Sequence, residues 1–581
     1  MTAATPLGSS TPPSPGEAGR PDLPHLDAAV AAVAARKQAW TEIGMRERIA
    51  LLDELTRDTL AVADRWAAAC REAEGLDARQ PVSGEEALVG PYFLLRNLRL
   101  LKKALRGIEL VGRPWIPGPI TTLPSGQVAA RVFPQDVWDR AFFAGVTAEV
   151  WMEPGVTALD LPATQAAAYR TPDRRGGVAL VLGGGNVSSI GPMDALSKLF
   201  VEDRVVLFKV HPVNAYLAPL LEEAFRALIG PGYLRQVQGG AEEGAYLCRH
   251  PGVDEIHITG SDRTYEAIVF GSGAEGEARK REGRPQLDKP VTAELGNVSP
   301  VIVVPGPWSA KDIDFQAENL VSSLVNNAGF NCNATRLIVT HAGWPERERL
   351  LAAVRKLLAK VPNRKAYYPG AAERFARFTG AHPEAESFGK GGGDRLPWAL
   401  IPGLDAERRD DICFNVEAFC GVFGEAPLAA PDGAGFLERA VGFCNETLWG
   451  TLNVTLLVHP GTLADPAAAR AVELAVERLR YGTVSLNCWA AAGYGLVVTP
   501  WGAFPGHTPQ DIQSGTGWVH NTLMFSRPQK TVVRSPFRVF PKPVWFATHR
   551  TAHRLTPKLA AFEADPSPAK LPGILSLALL G

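Results

Sequence analysis

Hydrophobic residues recur at helical spacing in the first hundred positions of the chain. Leu26, Val30 and Val33 fall on one face, and a second apolar series runs through residues 49–60 with polar residues between. A period near 3.6 predicts amphipathic helices over residues 25–75, separated near residues 45–48. A third helix is predicted over residues 91–105.

Short apolar runs then alternate with helix-like segments. Four apolar runs are VALVL ahead of three glycines, VVLFKV (205–210), a run near 233–237 and DEIHITG (254–260). Helical patterns over residues 193–201, 214–228 and 241–249 separate them. This alternation predicts βαβ units in a doubly wound parallel sheet. Ligands of such sheets bind beyond the carboxyl ends of the strands.

A second alternation begins at Pro300 with VIVV, a helix through residue 325, LIVT and a helix over residues 344–360. It predicts a second α/β domain. The charged, glycine-rich residues 271–290 between the two patterns are interpreted as a surface insertion or linker. Residues 126–156 are extended and are interpreted as an outlying hairpin of the kind that mediates assembly.

Composition excludes several classes of function. The 581 residues include 60 basic and 61 acidic side chains, so nothing indicates a nucleic-acid or anionic-membrane partner. Seven cysteines without a CxxC pair indicate the reduced thiols of a cytoplasmic protein, with neither a disulfide framework nor a metal site. Residues 1–24 lack a secretory pattern and are predicted to be a disordered lead-in, and the apolar residues 571–581 are too short to span a bilayer.

Cys332 lies in NNAGFNCNATR, on a glycine-containing turn between a predicted helix and a predicted strand. Backbone N–H groups at such a turn can stabilise a thiolate, which makes Cys332 a candidate nucleophile. A cysteine is more often a small buried hydrophobe, and this alternative stands on the residue alone. Four asparagines within eight residues favour a turn that presents polar groups to a ligand.

Polar residues at four other strand ends are further candidates. Glu294 in TAELGNVSP is either a general base or a solvated carboxylate. Asn186 after three glycines is either a donor to an oxyanion or a turn residue, and GGGNVSSIG is a poor match to GxGxxG. Lys209 either holds a ribose or phosphate or reaches solvent. Gly260 and Ser261 either receive a phosphate or begin and cap a helix.

The order of these motifs resembles the aldehyde dehydrogenase superfamily over residues 26–537. HITGS is similar to its FTGS motif, AELGNVSP to ELGGKSP, NAGFNCNATR to NQGQxCxAxxR, VEAFCGVFGE to EEIFGPV and YGTVSLNC to GTVxxN. Five motifs in one order are far more specific than any one of them. The resemblance implies an α/β protein with a Rossmann-like parallel-sheet cofactor domain, a second α/β catalytic domain and a small β oligomerisation element.

The resemblance also implies a role for each matching residue. Cys332 matches the nucleophile, and Glu294 matches the base that activates water for thioester hydrolysis. Asn186 matches the amide that stabilises the oxyanion, together with the backbone N–H of Cys332.

The matching cofactor residues lie on both sides of that centre. Lys209 matches the lysine on the adenosine ribose. Gly260 and Ser261 match the pyrophosphate turn. Glu417 and Phe419 match the pair that positions the nicotinamide ribose and ring.

The reaction that the resemblance implies is the oxidation of an aldehyde to a carboxylic acid with NAD or NADP. It proceeds through a thiohemiacetal and a thioester on Cys332. Two alternatives stay open. One is a coenzyme A-acylating dehydrogenase or acyl-CoA reductase, which Glu294 disfavours because acylating relatives commonly lack that glutamate. The other is an inactive dinucleotide-binding relative.

Family analogy further implies the organisation of the chain. The lead-in covers residues 1–24, an NAD(P)-binding domain covers 25–290 with the hairpin inside it, and a catalytic domain covers 291–490. Residues 491–581 return to the cofactor and assembly region. The expected assembly is a homodimer or homotetramer.

Departures from the family pattern concentrate at the binding surfaces. Tyr265 stands where FTGSxxxG has its later glycine, and Phe330 replaces a glutamine. Pro212 replaces the ribose-binding glutamate of many NAD-using members, so NADP is compatible with this loop. Gly185 replaces a frequent aromatic residue beside the oxyanion asparagine.

The C-terminal segment also differs from ordinary members, from Trp501 onwards, as do residues 271–290. Trp489, Trp501 and Phe504 lie where the superfamily commonly lines its substrate tunnel. Core packing is the slightly preferred interpretation of these aromatics, and an apolar tunnel is the alternative.

Overall fold

Three helices open the part of the chain that the computed structural model describes, residues 23–581. Of the predicted lead-in at residues 1–24, residues 1–22 lie outside the described part of the chain. The helices are α1 (Pro24–Ala34), α2 (Lys37–Glu42) and α3 (Met45–Glu74). The break predicted at residues 45–48 falls instead at residues 43–44, so those four residues begin α3, and Gly75 ends α3 in the left-handed conformation at φ +66°.

An antiparallel hairpin follows two further helices, α4 (Glu85–Ala87) and α5 (Phe93–Val111). Its strands are β1 (Ile120–Thr122), β2 (Val128–Phe133) and β3 (Thr147–Met152), with α6 (Val137–Phe142) between the last two. The extended segment predicted at residues 126–156 is therefore present with one helical turn inserted. Its role in assembly stays a prediction.

A six-stranded sheet forms the first α/β unit. Its parallel strands are β4 (Val178–Leu182), β5 (Val205–Lys209), β6 (Leu234–Val237), β7 (Glu255–Gly260) and β8 (Val291–Leu295), in the order β8-β7-β4-β5-β6. Continuous apolar runs suit strands covered on both faces. The predicted parallel alternation is confirmed.

The helices around this sheet follow the prediction except where proline intervenes. They are α7 (Leu161–Thr164), α8 (Ala167–Arg170), α9 (Ile190–Phe200), α10 (Ala218–Ala224), α11 (Arg226–Ile229), α12 (Ala241–Arg249), α13 (Asp262–Val269) and α14 (Gly273–Glu282). The helix predicted over 214–228 is divided into a 3-10 turn from Pro212, α10 and α11. Residues 271–290, interpreted as an insertion or linker, contain α14.

The strand β8 follows α14 and pairs with β7. Glu294 therefore projects from the six-stranded sheet, although the predicted boundary at residue 290 assigned it to the second domain. The division into domains stays a prediction.

An eleven-stranded sheet organises the second half of the chain, in the order β1-β2-β3-β19-β15-β14-β9-β10-β13-β12-β11. Its further strands are β9 (Pro300–Val303), β10 (Leu337–His341), β11 (Glu386–Phe388), β12 (Trp398–Ile401), β13 (Val422–Leu428), β14 (Asn453–Leu457), β15 (Thr483–Leu486) and β19 (Pro528–Arg534). The strands from β19 to β12 are parallel. The hairpin extends one edge because β19 pairs antiparallel with β3.

Helices connect the strands of this second sheet. They are α15 (Ala310–Val325), α16 (Arg347–Leu358), α17 (Ala371–Ala381), α18 (Ile412–Asn415), α19 (Gly433–Glu446), α20 (Pro460–Leu463), α21 (Pro466–Arg478) and α22 (Ala491–Gly495).

The C-terminal segment returns to both sheets. Short strands β16 (Pro500–Trp501) and β18 (Val519–His520) pair with each other, and β17 (Gly515–Thr516) adds an antiparallel edge to β8. The last helices are α23 (Ala552–Ala564), which contacts α5, and α24 (Leu571–Leu579). Among residues 23–581, no helix has both the length and the apolarity needed to cross a bilayer.

Candidate active site

All eight residues selected from the sequence line one cleft of about 1050 Å³. It runs between the carboxyl ends of the six-stranded sheet and the loops of the second sheet. The residues selected from the sequence that line it are Asn186, Lys209, Gly260, Ser261, Glu294, Cys332, Glu417 and Phe419. Residues separated by up to 233 positions therefore meet along one surface.

Cys332 lies on a tightly wound turn between α15 and β10. Asn327, Ala328 and Gly329 have φ values of +50°, +52° and +82°. A Cβ atom at Gly329 would lie 2.8 Å from the backbone of Cys420, so only glycine fits there. Ser299 Oγ donates to the carbonyl of Cys332 at 3.1 Å, which fixes the turn beneath the thiol.

The asparagines of this turn differ from the expectation that they face a ligand. Asn326, Asn327 and Asn331 are buried and bond to one another and to backbone groups. Their amides satisfy the polar groups of a left-handed turn that has no regular secondary structure to pair with. These asparagines stabilise the turn that carries Cys332 and do not form a surface for a ligand.

Glu294 is buried at the carboxyl end of β8, directly beside Cys332. Burial raises the pKa of its carboxyl group to about 8, partly offset by Trp501, whose indole Nε1 donates to Glu294 Oε1 at 3.0 Å. Burial and the neighbouring carboxylates, first that of Glu294, also raise the pKa of the Cys332 thiol. The Cys332 thiol and the Glu294 carboxyl group therefore lie close enough to influence each other's ionisation.

Asn186 is held from several sides after the glycines that end β4. Its Nδ2 donates to the carbonyl of Phe330 at 2.8 Å, which ties the loop to the nucleophile turn. Its own carbonyl accepts from Asn327 Nδ2 at 2.7 Å and from the hydroxyl of Tyr367 at 3.0 Å.

A buried charge network stands behind Asn327. Glu85 Oε2 accepts the backbone N–H of Asn327 at 3.0 Å and pairs with Arg364. Arg364 also donates to Glu74 at 2.9 Å. These contacts fix the turn that holds both Asn186 and Cys332.

Lys209 ends β5 at the far end of the cleft. Its Nζ donates to the carbonyl of Gly239 at 2.5 Å, and burial lowers the pKa of its ammonium group. The side chain is therefore directed along the cleft wall and does not extend freely into solvent. This arrangement supports the ligand-contact interpretation over a solvated strand end.

The turn at Gly260 and Ser261 combines both interpretations offered for it. Ser261 Oγ accepts the backbone N–H of Thr264 at 3.2 Å and caps α13. Both residues also line the cleft, with the helix N-terminus directed towards it. Such an end attracts anions because its N–H groups lack partners within the helix.

Glu417 carries an unusual carboxylate at the middle of the cleft. Burial raises its pKa to about 7, while Arg336 and Arg374 act in the opposite direction. Its Oε1 is buried without a hydrogen-bond partner. A Cβ atom at Gly296 would lie 2.0 Å from this carboxylate, so the glycine of AELGN leaves the space that Glu417 occupies.

Phe419 reaches the cleft from a backbone with φ +41°. Its ring packs against Tyr368 and Phe330 at centroid distances of 5.0 and 6.0 Å, and the Arg374 guanidinium lies 5.8 Å from the ring. Phe330, a departure from the family pattern, is buried in this aromatic cluster behind Phe419.

The departure at Gly185 has a structural partner. A Cβ atom at Gly185 would lie 2.3 Å from Nδ1 of His211, so the imidazole fills the space of a side chain at position 185. Burial and the nearby Lys209 lower the pKa of His211 to about 4, so the ring is neutral near pH 7. Tyr265, in place of a glycine, is a buried residue of α13.

Three contributors to the site were missed by sequence reasoning, namely His211, Arg374 and the Trp501–Glu294 contact. A histidine next to Lys209 in KVHP was a detectable cue for the first. The other two depend on packing between segments distant in the chain. Trp501 is buried, Phe504 is half-buried with the Lys530 ammonium group 5.5 Å from its ring, and Trp489 donates to the carbonyl of Asn333 at 2.6 Å.

Comparison with known proteins agrees with this arrangement. The model of the aldehyde dehydrogenase family matches residues 162–379. N-succinylglutamate 5-semialdehyde dehydrogenase of Ectopseudomonas mendocina is 31% identical over 170 residues, 29% of this chain and 32% of that protein. Human 4-trimethylaminobutyraldehyde dehydrogenase is 35% identical over 136 residues, 23% of this chain and 24% of the relative. The matching segment thus spans only a quarter to a third of these relatives' length.

The resemblance of fold extends further than that of sequence. NADP-dependent glyceraldehyde-3-phosphate dehydrogenase from Bacillus halodurans, solved with NADP, superposes with a TM-score of 0.58 at 17% identity, covering 88% of this chain and 91% of that one. NAD-dependent aldehyde dehydrogenase from Sinorhizobium meliloti gives 0.59 at 18% identity, covering 90% and 88%. The family match shows similarity to aldehyde dehydrogenases over residues 162–379, and the solved structures show that the fold is shared over most of the chain's length.

Proposed function

We propose that this protein oxidises an aldehyde to a carboxylic acid with NAD or NADP. The observation that supports it most strongly is the juxtaposition of Cys332 and Glu294, which line the same part of the cleft and interact electrostatically. A nucleophilic thiol and a base at one point are what acyl chemistry on a thioester requires.

Several residues that line the cleft have the chemistry needed to bind a dinucleotide. Glu417 Oε1 is buried without a partner and would accept a ribose hydroxyl. Ser261 and the start of α13 would receive the pyrophosphate, and Lys209 would contact the second ribose. When bound, NAD(P) supplies the hydride acceptor for the reaction.

The first step is attack of the Cys332 sulfur on the aldehyde carbonyl. The thiolate is the reacting form, and its proton has passed to solvent, so Glu294 stays free to act as the base in the hydrolysis that follows. The carbon–sulfur bond forms as the carbonyl becomes an oxyanion. Asn186 and the backbone N–H of Cys332 donate to this oxygen, because the Asn186 amide has a second N–H besides the one on Phe330.

Loss of hydride leaves a thioester on Cys332, and water then cleaves it. Glu294 accepts a proton from that water, the carbon–sulfur bond breaks, and the carboxylic acid leaves. The pKa of about 8 suits this role because the carboxyl group gains and loses protons near physiological pH.

We also propose a cytoplasmic homodimer or homotetramer assembled through the β2–β3 hairpin. The hairpin lies near the edge of the larger sheet, and the seven cysteines are free, as suits a reducing compartment. Light scattering of the purified protein would give two or four chains, and a monomer would contradict this assembly.

The proposed reaction is tested with a panel of aldehydes of different length, charge and aromaticity, assayed separately with NAD and NADP. We expect formation of the reduced cofactor and the free acid without coenzyme A. A strict requirement for coenzyme A would identify the acylating alternative instead. Turnover of no aldehyde, by protein that binds NAD(P)H, would indicate the inactive relative.

A further inference from the structure

A second cysteine lies in a closed cluster away from the proposed reaction. His382 follows α17, and Asp411 and Cys413 lie at the start of α18. All three side chains are buried, with exposed fractions of 5–6%. In the described residues 23–581, these three side chains form a cluster in which one ligand atom from each lies within 4.8 Å of the other two.

The distances in this cluster match the edges of a zinc tetrahedron. Zinc bonds near 2.0–2.3 Å predict separations of about 3.4 Å between a nitrogen and an oxygen ligand and about 3.6 Å between a nitrogen and a sulfur ligand. His382 Nε2 lies 3.1 Å from Asp411 Oδ1 and 3.6 Å from Cys413 Sγ. The three ligand types that zinc prefers therefore converge at zinc spacing.

The other nitrogen of His382 supplies a second argument. Nδ1 lies 2.9 Å from Glu384 Oε1, so both ring nitrogens meet carboxylate oxygens. A neutral imidazole has one N–H and can donate to only one of them. A cation at Nε2 resolves the conflict, with Nδ1–H donating to Glu384 in the carboxylate–histidine–metal arrangement.

The backbone holds the ligands in place before any metal arrives. The N–H of Cys413 donates to Asp411 Oδ1 at 2.8 Å, so the aspartate caps α18 while its carboxylate faces the cluster. The sequence pattern Asp-x-Cys thus places two ligands on one helix start. The sequence analysis predicts no metal site because it relies on CxxC spacing, which this pattern does not match.

We propose that His382, Asp411 and Cys413 bind one Zn²⁺ ion, with Glu384 orienting the histidine. The ion would join the end of α17 to the start of α18. Cleft residues lie on both sides of this junction, Arg374 and Arg377 on α17 and Glu417 just after α18. The site is structural and independent of the proposed aldehyde oxidation.

The test uses the full chain purified without chelators. Metal analysis should give about one zinc per chain. After metal removal, Co²⁺ titration should produce the thiolate-to-cobalt charge-transfer band. Zinc should raise the Tm of the metal-free protein because a ligand that binds only the folded state stabilises it.

Variants separate this site from the other thiols. Cys413→Ser should abolish the cobalt band, and the matched change Cys444→Ser, at a buried cysteine whose pKa is raised by burial alone, should retain it. Asp411→Asn keeps the helix cap but removes the charge, so it should fold and lose zinc. Glu384→Gln should weaken zinc binding about 10–100-fold.

Absence of stoichiometric zinc together with absence of the cobalt band in the native chain would overturn the proposal. A cobalt band that persists in Cys413→Ser would overturn it equally, because the metal would lie at another cysteine. Neither result bears on whether the protein oxidises aldehydes.

Discussion

The two ends of the cleft are built in different ways. At the Cys332 end, Glu294 is buried, and Asn186 is bonded to Phe330 and Asn327 of the turn that carries Cys332. At the Lys209 end, the contacts are separate from one another: Lys209 bonds to Gly239 in the loop after β6, and Ser261 bonds to Thr264 in the first turn of α13. The departures from the family pattern at Pro212 and Tyr265 belong to this second end, whereas those at Gly185 and Phe330 adjoin Asn186 and Cys332.

This difference teaches which properties tolerate change. A network in which each group supports the next cannot lose one member without leaving a buried polar group unpaired, which costs about 1–3 kcal/mol. Independent contacts can be exchanged one at a time. The reaction chemistry is therefore fixed at the first end, while the choice between NAD and NADP is open to local substitution at the second.

The largest effect is expected at the nucleophile. Cys332→Ser should lower kcat by more than about 10³-fold, because a serine hydroxyl in this site lacks the nucleophilicity of the thiolate. Cys488→Ser, at a half-buried cysteine outside the cleft, should leave kcat unchanged. Steady-state formation of reduced cofactor measures both, and a fully active Cys332→Ser protein would refute the assignment.

Asn186→Ala should lower kcat about 10²–10³-fold, as expected when one donor to an oxyanion is removed. KM for the cofactor should change little, since this amide lies at the reactive end. Asn445→Ala, which also removes an amide bonded to a backbone carbonyl, is the control. Equal losses in the two variants would mean that Asn186 has no special part in the reaction.

How far the sequence predicts this site depends on the range of the interactions. Local patterns are sufficient for β4, β5 and β7, and the ordered motifs contain six of the eight cleft residues, while Asn186 and Lys209 are found from the ends of β4 and β5. The contact between Trp501 and Glu294 joins positions 207 apart. The fit of His211 against Gly185 likewise depends on packing between two loops, which no local pattern encodes.

Lys209→Met should raise KM for the cofactor about tenfold while kcat stays nearly constant, because one hydrogen bond to the ligand is worth about 1–1.5 kcal/mol. Lys289→Met is a matched control, since Lys289 also donates to a backbone carbonyl at 2.5 Å but lies outside the cleft. A loss of kcat without a change in KM would show that the two ends are not independent.

The pH dependence should show the smallest but most specific effect. Because the base that hydrolyses the thioester must be ionised, kcat should rise with pH up to the pKa of Glu294, about 8, and level off above it. Trp501→Phe removes a donor that favours the carboxylate, so the rise should move about one to two units higher. Trp344→Phe, at a buried indole remote from the cleft, should leave the profile unchanged.

The central claim is that Cys332 carries the acyl group and Glu294 removes it. The most direct measurement is a rapid-mixing experiment on Glu294→Gln with an aldehyde that the native protein oxidises, followed by mass analysis of the Cys332 peptide. The account predicts a burst of about one reduced cofactor per chain, a slow steady state and an acyl adduct on Cys332. A burst with no adduct, or an adduct on another cysteine, would contradict it.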